Sequence, residues 1–183
     1  MGLMLLGLVL WADAHLFKRL MPGARERMGD RGRALIALTL AVSIVLMVIG
    51  YRMADGPVWW GASAATKGIN NLMVLVAIYL FAASGMKTRV GTRLRHPQLT
   101  GVALWAAGHL LVNGDLPSVV LFGVLLGWSL VEMLLINWQD RDWAPVTAPL
   151  QPRLEVMAAA GALITYLVMG LVHAWIGPNP FGA

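Results

Sequence analysis

Leu116–Trp138 reads LPSVVLFGVLLGWSLVEMLLINW, and Glu132 is its only ionisable side chain. At about 1.5 Å of rise per residue, a helix of this length crosses the roughly 30 Å hydrocarbon core of a bilayer. Lipid offers no partner to an open backbone N–H or C=O, so a stretch this apolar is read as a helix rather than as a strand or a loop. Five further apolar runs accompany it: Gly2–Phe17, Ala34–Tyr51, Gly68–Met86, Gln98–Val112 and Leu154–Ile176. The Gln98–Val112 run is short and closes on Asn113-Gly114-Asp115, a turn signal that places its end inside the protein, below the membrane surface. The expected fold is therefore an all-α integral membrane bundle of about six transmembrane helices, with residues 1–183 as one transmembrane domain.

Composition agrees with this. Of the 183 residues, 58% are hydrophobic and 13% charged, against about a quarter charged in a soluble domain. Too few charges remain to coat a water-facing surface, so the outside of the bundle meets lipid. The chain has no cysteine, which excludes disulfides, thiolate metal sites and a cysteine nucleophile. The first run begins at Met1 without a basic leader and ends on Lys18-Arg19 without a small-residue cleavage site, so it is read as a retained span. No repeat and no low-complexity linker divides the chain, although Ala144–Pro152 is a proline-rich loop.

The net charge of +5 reads as topology, not as a nucleic-acid surface, because no basic stretch is interleaved with aromatics. Lys18, Arg19, Arg25, Arg27, Arg31 and Arg33 follow the first run, Lys87, Arg89, Arg93 and Arg95 the third, and Arg141 and Arg153 the fifth. Twelve of the 14 Lys and Arg thus share one side, leaving Arg52 and Lys67 on the other. The positive-inside rule puts the twelve in the cytoplasm and both termini in the periplasm. Trp59, Trp60, Trp138, Trp143 and Trp175 fall near span ends, where an aromatic belt sits.

Ionisable groups inside spans are costly and mark candidate sites: Asp13, His15, His109, Glu132 and His173, with His96 at the cytoplasmic edge. Each also has a plain structural use. A membrane histidine commonly braces a neighbouring helix, His173 lies near a wet end, Asp13 is expected to find a basic or amide partner, and Glu132 to pair with Arg93 or Arg95. Asn70 and Asn71 read as interhelical glue. Two histidines share a context, Trp11-Ala12-Asp13-Ala14-His15 and Trp105-Ala106-Ala107-Gly108-His109. In both, Trp precedes His by one turn on the same face. Neutral imidazole is a good iron ligand, and two histidines on facing helices can hold haem between them. Depth counts against a shared ring: His109 lies about 16 Å from the cytoplasmic start of its helix and His15 about 21 Å from the opposite face, a mismatch of roughly 7 Å. Arg95-His96-Pro97-Gln98 opens the fourth run either as a proline helix entry or as a polar cytoplasmic pocket for an anionic, nucleotide-like ligand closed by Glu132.

Arg95-His96-Pro97-Gln98-Leu99-Thr100-Gly101, followed by Leu104-Trp105-Ala106-Ala107-Gly108-His109-Leu110-Leu111-Val112-Asn113-Gly114-Asp115, resembles the NnrU family. The resemblance extends over essentially the whole chain. It implies a bacterial inner-membrane protein associated with denitrification and nitric-oxide metabolism. The zeta-carotene isomerases are similar over the same domain, and this similarity implies haem b with histidine ligands at His15 and His109, beside Trp11 and Trp105. Those isomerases carry a cysteine where this chain has Ala106, so a cysteine-linked ligand switch is not carried over, and neither is isomerisation itself. Arg95-His96-Pro97 also looks like the element near which isoprenylcysteine and phospholipid methyltransferases bind S-adenosylmethionine, without their paired glutamates after the fifth span. Three readings follow: a haem b membrane protein with redox or isomerase-like activity that takes a hydrophobic small molecule, a methyltransferase-like enzyme, and a non-catalytic assembly subunit of a membrane complex.

Overall fold

The computed structural model describes residues 1–146, 149 and 151–182. Residues 147, 148 and 150 of the proline-rich loop lie outside the described residues. Eight helices run in order: α1 (Gly2–Leu20), α2 (Pro22–Arg27), α3 (Gly29–Arg52), α4 (Ala64–Gly85), α5 (Arg89–Arg93), α6 (Pro97–Val112), α7 (Leu116–Gln139) and α8 (Pro152–Ile176). Among the described residues there is no strand, only an isolated antiparallel bridge between Val58 and Asp115. The six long helices fall on the six apolar runs. The short α2 and α5 lie in the basic loops, where the sequence showed charge but no apolar periodicity.

Four of the long helices, α3, α4, α7 and α8, are long and apolar enough to cross a membrane. The other two fall short for definable reasons. Helix α6 has 16 residues, about 24 Å of rise against a core of about 30 Å. Helix α1 has 19 residues and carries Asp13, Lys18 and Arg19 within them. Both nonetheless lie between other helices in the row, although α1 also exposes Leu3, Leu5, Leu6 and Val9. Neighbouring helices follow the order α8, α4, α6, α7, α1, α3, so α6 is flanked by α4 and α7, and α1 by α7 and α3. The apolar faces of the outer helices are open, as at Leu38, Val45, Leu167 and Leu171. Such a surface suits contact with lipid. Trp59, Trp60, Trp138, Trp143 and Trp175 are all exposed, as an aromatic belt requires.

Helices in lipid are held by close packing, which small residues permit. A Cβ on Gly7 of α1 would lie 2.7 Å from the Ser43 carbonyl and 2.8 Å from Met47 Cγ of α3. Gly50 of α3 meets the Met4 backbone in the same way, 2.7 Å from its Cα. Met4 is fully buried there, beside Leu8, Met47 and Leu125. On the other side, Gly101 and Gly108 of α6 face Ala77 and Asn70 of α4, and a Cβ on Gly108 would lie 2.6 Å from Asn70 Oδ1.

Polar side chains close the two ends. At the end bearing both termini, here called the upper end, Asp115 caps α7 by accepting from Ser118 N at 2.9 Å, and the Ser118 hydroxyl meets Tyr51 Oη of α3 at 2.7 Å. Trp60 donates to Leu110 O at 2.8 Å, pinning the α3–α4 loop over the end of α6. At the lower end Arg19 pairs with Asp140 at 2.9 Å and Gln139 donates to Arg19 O at 3.0 Å, tying α1 to α7. Gly7→Ala should cost about 1–3 kcal/mol by forcing α1 from α3, whereas Gly123→Ala, whose new Cβ meets nothing within 4 Å, should leave stability unchanged or slightly raised. Thermal unfolding in detergent distinguishes the two; equal midpoints would contradict this packing.

Candidate functional site

The helix row curves so that α3 and α8, its two ends, face one another across a gap that residues of both helices line. The space between them is a cavity with two lobes that share Tyr51, Val74, Trp105, Phe122 and Met169. The lower lobe measures about 630 Å³ and is walled almost wholly by apolar and aromatic side chains, among them Trp11, Met47, Phe81 and Leu125. The upper lobe measures about 450 Å³ and adds polar groups: Lys67, Asn70, Asn71, His109, Asn113 and His173. An apolar chamber with a few convergent polar groups is the usual form of a small-molecule site.

Local helix chemistry sets both histidines. His109 Nδ1 lies 2.9 Å from Trp105 O, and His15 Nδ1 lies 3.0 Å from Trp11 O. A carbonyl can only accept, so Nδ1 carries the proton in each neutral ring, and Nε2 keeps its lone pair. A fixed Nδ1–H with a free Nε2 is the form in which histidine binds a metal. The Trp-x-x-x-His spacing thus has a structural cause: the imidazole reaches back one turn to the tryptophan's backbone.

The two rings sit in different surroundings. His109 packs on Trp105 and on Phe122 of α7, with centroids at 5.1 and 4.5 Å, and it lines the upper lobe. His15 packs on Trp11 and on Trp128 of α7, at 4.3 and 4.7 Å, and lines neither lobe. Phe122 and Trp128 are six positions apart on one helix, about 9 Å of rise. The cavity therefore joins Trp11, Trp105 and His109 and leaves His15 below it. The other histidine in the cavity wall is His173, whose Nδ1 donates to Pro178 O at 2.7 Å. Ala106, the position of the isomerases' cysteine, is fully buried and lines neither lobe.

Arg95 and His96 join α6 to the end of α7. Arg95 donates to Ile136 O at 3.5 Å and to Asp140 O, and its guanidinium lies 5.5 Å from the Trp143 ring. His96 Nε2 meets Asn137 Oδ1 at 2.8 Å. These contacts satisfy helix-end carbonyls, as basic groups at a C-terminus do, and neither residue lines either lobe. Glu132 pairs with neither Arg93 nor Arg95; its Oε2 is buried without a partner, as are the indole nitrogens of Trp11 and Trp128. Asp13 is exposed and finds no partner among the described residues. Asn71 does act as glue, donating to Pro180 O at 3.0 Å, and Asn70 is buried against Gly108 with Oδ1 unpartnered.

Among the lining residues not singled out from sequence as site residues are Tyr51, Arg52, Lys67 and Tyr166. The charge count held a signal for the two cations, because they are the pair on the side of the chain that is otherwise without Lys or Arg.

Apolar helices around a central cavity fit a multi-pass membrane protein. The chain belongs to the NnrU family, whose description, NnrU protein, matches residues 3–180. Neither the curated proteins nor the solved structures give a match. Arg95→Ala should lower stability by about 1–3 kcal/mol through the orphaned carbonyls of α7 while leaving ligand uptake by the cavity intact. Unfolding midpoints and binding measured on the same preparation check both; loss of uptake at unchanged stability would place the site at Arg95.

Proposed function

We propose that this NnrU-family protein is a haem b protein of the bacterial inner membrane, serving nitrogen-oxide metabolism, with His109 as an iron ligand. One observation carries the reading: His109 lines an apolar cavity with Nδ1 bonded to its own helix and Nε2 free. The donor set and the chamber fit the group. A flat apolar ring suits walls of Trp105, Phe122 and Met169, and the cavity volumes lie within the range of about 300–1,000 Å³ usual for cofactor sites. Bound haem supplies an iron that exchanges electrons and takes up small nitrogen oxides. The chain's own part is to orient His109 through the Trp105 carbonyl, to exclude water with an aromatic wall, and to offer a second histidine. His15, one level lower, and His173, in the same lobe, are the two choices for that second ligand.

In this reading α1 and α6 also cross the bilayer, sheltered by full-length neighbours on both sides, giving six spans with the termini in the periplasm. The twelve Lys and Arg on the lower loops support that orientation.

The absorption spectrum of protein purified after expression with ample haem tests the cofactor. A Soret band is expected, abolished or shifted by His109→Ala, and altered by only one of His15→Ala and His173→Ala. A colourless protein, or a band indifferent to His109→Ala, sinks the reading. Orientation has a separate test, made simple by the absence of cysteine. In intact spheroplasts, Gly61→Cys should react with an impermeant maleimide and Ala24→Cys should not; the reverse pattern would invert the topology.

A further inference from the structure

The upper mouth of the cavity carries two cations, and neither is in an ion pair among the described residues. Arg52, at the end of α3, lines the lower lobe, and Lys67, in the first turn of α4, lines the upper one. Arg52 Nη2 donates to Ile176 O at 3.3 Å, and Lys67 Nζ donates to Gly182 O at 3.2 Å. Both partners are backbone carbonyls, one of the last residue of α8 and the other of the segment that follows it. They satisfy hydrogen-bond geometry and carry no net charge; among the described residues the ion pairs are Arg19–Asp140 and Arg33–Asp30. Below the mouth come the polar groups of the upper lobe, among them Asn71 and His109, and then almost wholly apolar walls down to Phe81, fourteen positions past Lys67 on α4, about 21 Å of rise. Unpaired cations at one end of a long apolar chamber suit a molecule with an apolar body and an acidic end.

The side of the chamber supports the same ligand. Helices α3 and α8 both line the lower lobe, with Ile44 and Val48 on one side and Thr165 and Met169 on the other, and the Arg52–Ile176 bond spans their upper ends. The gap between these helices is the side from which a lipid-soluble molecule would enter. Its acid group then meets Arg52 and Lys67 in place of the carbonyls they now hold.

We propose that Arg52 and Lys67 form a carboxylate-binding subsite at the upper mouth of the cavity, selecting acid-ended amphiphiles over neutral ones. The propionates of haem and the head of a long-chain fatty acid share this chemistry. The subsite rests on the cavity and its two cations and not on iron, so it stands or falls apart from the haem reading.

The test uses the full chain in a neutral detergent, titrated with three probes: hemin, hemin dimethyl ester and oleate. Binding is read by the Soret band for the porphyrins and by calorimetry for oleate. The comparison is wild type against Arg52→Gln/Lys67→Gln, with Arg52→Lys/Lys67→Arg as the charge-conserving variant and unfolding midpoints as the check on folding. At least one acid probe should bind wild type roughly tenfold more tightly than the neutralised variant, and the charge-conserving variant should keep that affinity. If hemin is that probe, its dimethyl ester should gain nothing from the cations, and the ligand is a porphyrin acid. If only oleate shows the charge effect, the subsite holds and its ligand is a fatty acid, not a porphyrin acid. Equal binding of acids by wild type and the neutralised variant, or no binding of any probe, overturns the proposal. So does loss of affinity in the charge-conserving variant equal to that in the neutralised one.

Discussion

Backbone-to-backbone approach through glycine governs this bundle. Gly7 lets α1 lie against the Ser43 carbonyl of α3, and Gly50 lets α3 lie against Met4. Gly101 and Gly108 do the same for α6 on α4. In lipid no hydrophobic force draws helix to helix, since the tails are as apolar as leucine, so tight van der Waals contact must hold the pairs. Two close pairs result, α1 with α3 and α4 with α6, and α7 joins them. The row then ends at α8 on one side and α3 on the other, and the gap between those ends becomes the chamber.

That arrangement explains why polar chemistry gathers where it does. The lower ends of α1, α6 and α7 are stitched by Arg19, Asp140, Arg95, His96 and Asn137, which leaves those groups occupied. The chamber instead receives groups with capacity to spare: the free nitrogen of His109, Asn70 with its unpartnered Oδ1, and two cations whose partners are carbonyl oxygens. His15 illustrates the difference. Its ring has the same intrahelical bond as His109, yet Trp11 and Trp128 enclose it, and Glu132, one turn below Trp128, has a buried oxygen without a partner.

Much of the fold was readable from residues. Each long helix begins or ends within a few positions of an apolar run because lipid forces backbone groups to bond within the segment. Asn113-Gly114-Asp115 was readable as a turn, and Asp115 proves to be the cap of α7. The weak points were α1 and α6. Their charge content and shortness fit a helix sheltered by others, a property of neighbours that no single run expresses. Of the site, the Trp-Ala-x-x-His pair was visible, and its cause, a ring-to-carbonyl bond one turn back, is local. The place of His173 in the cavity wall was not visible, because α8 reaches that wall only by packing on α4.

The sequence by itself determined an all-helical membrane chain of the NnrU family, the runs that become its long helices, and the histidines able to present a free nitrogen. Periodicity, charge and one-turn hydrogen bonds are properties of neighbouring residues, so they survive in one dimension. Only the tertiary structure decided which groups share a space: that His109 lines the cavity while His15 lies beneath it, and that Arg52 and Lys67, fifteen positions apart in the chain, line its two lobes. Those relations depend on which helices approach closely enough to touch, and glycine contacts between distant segments set that.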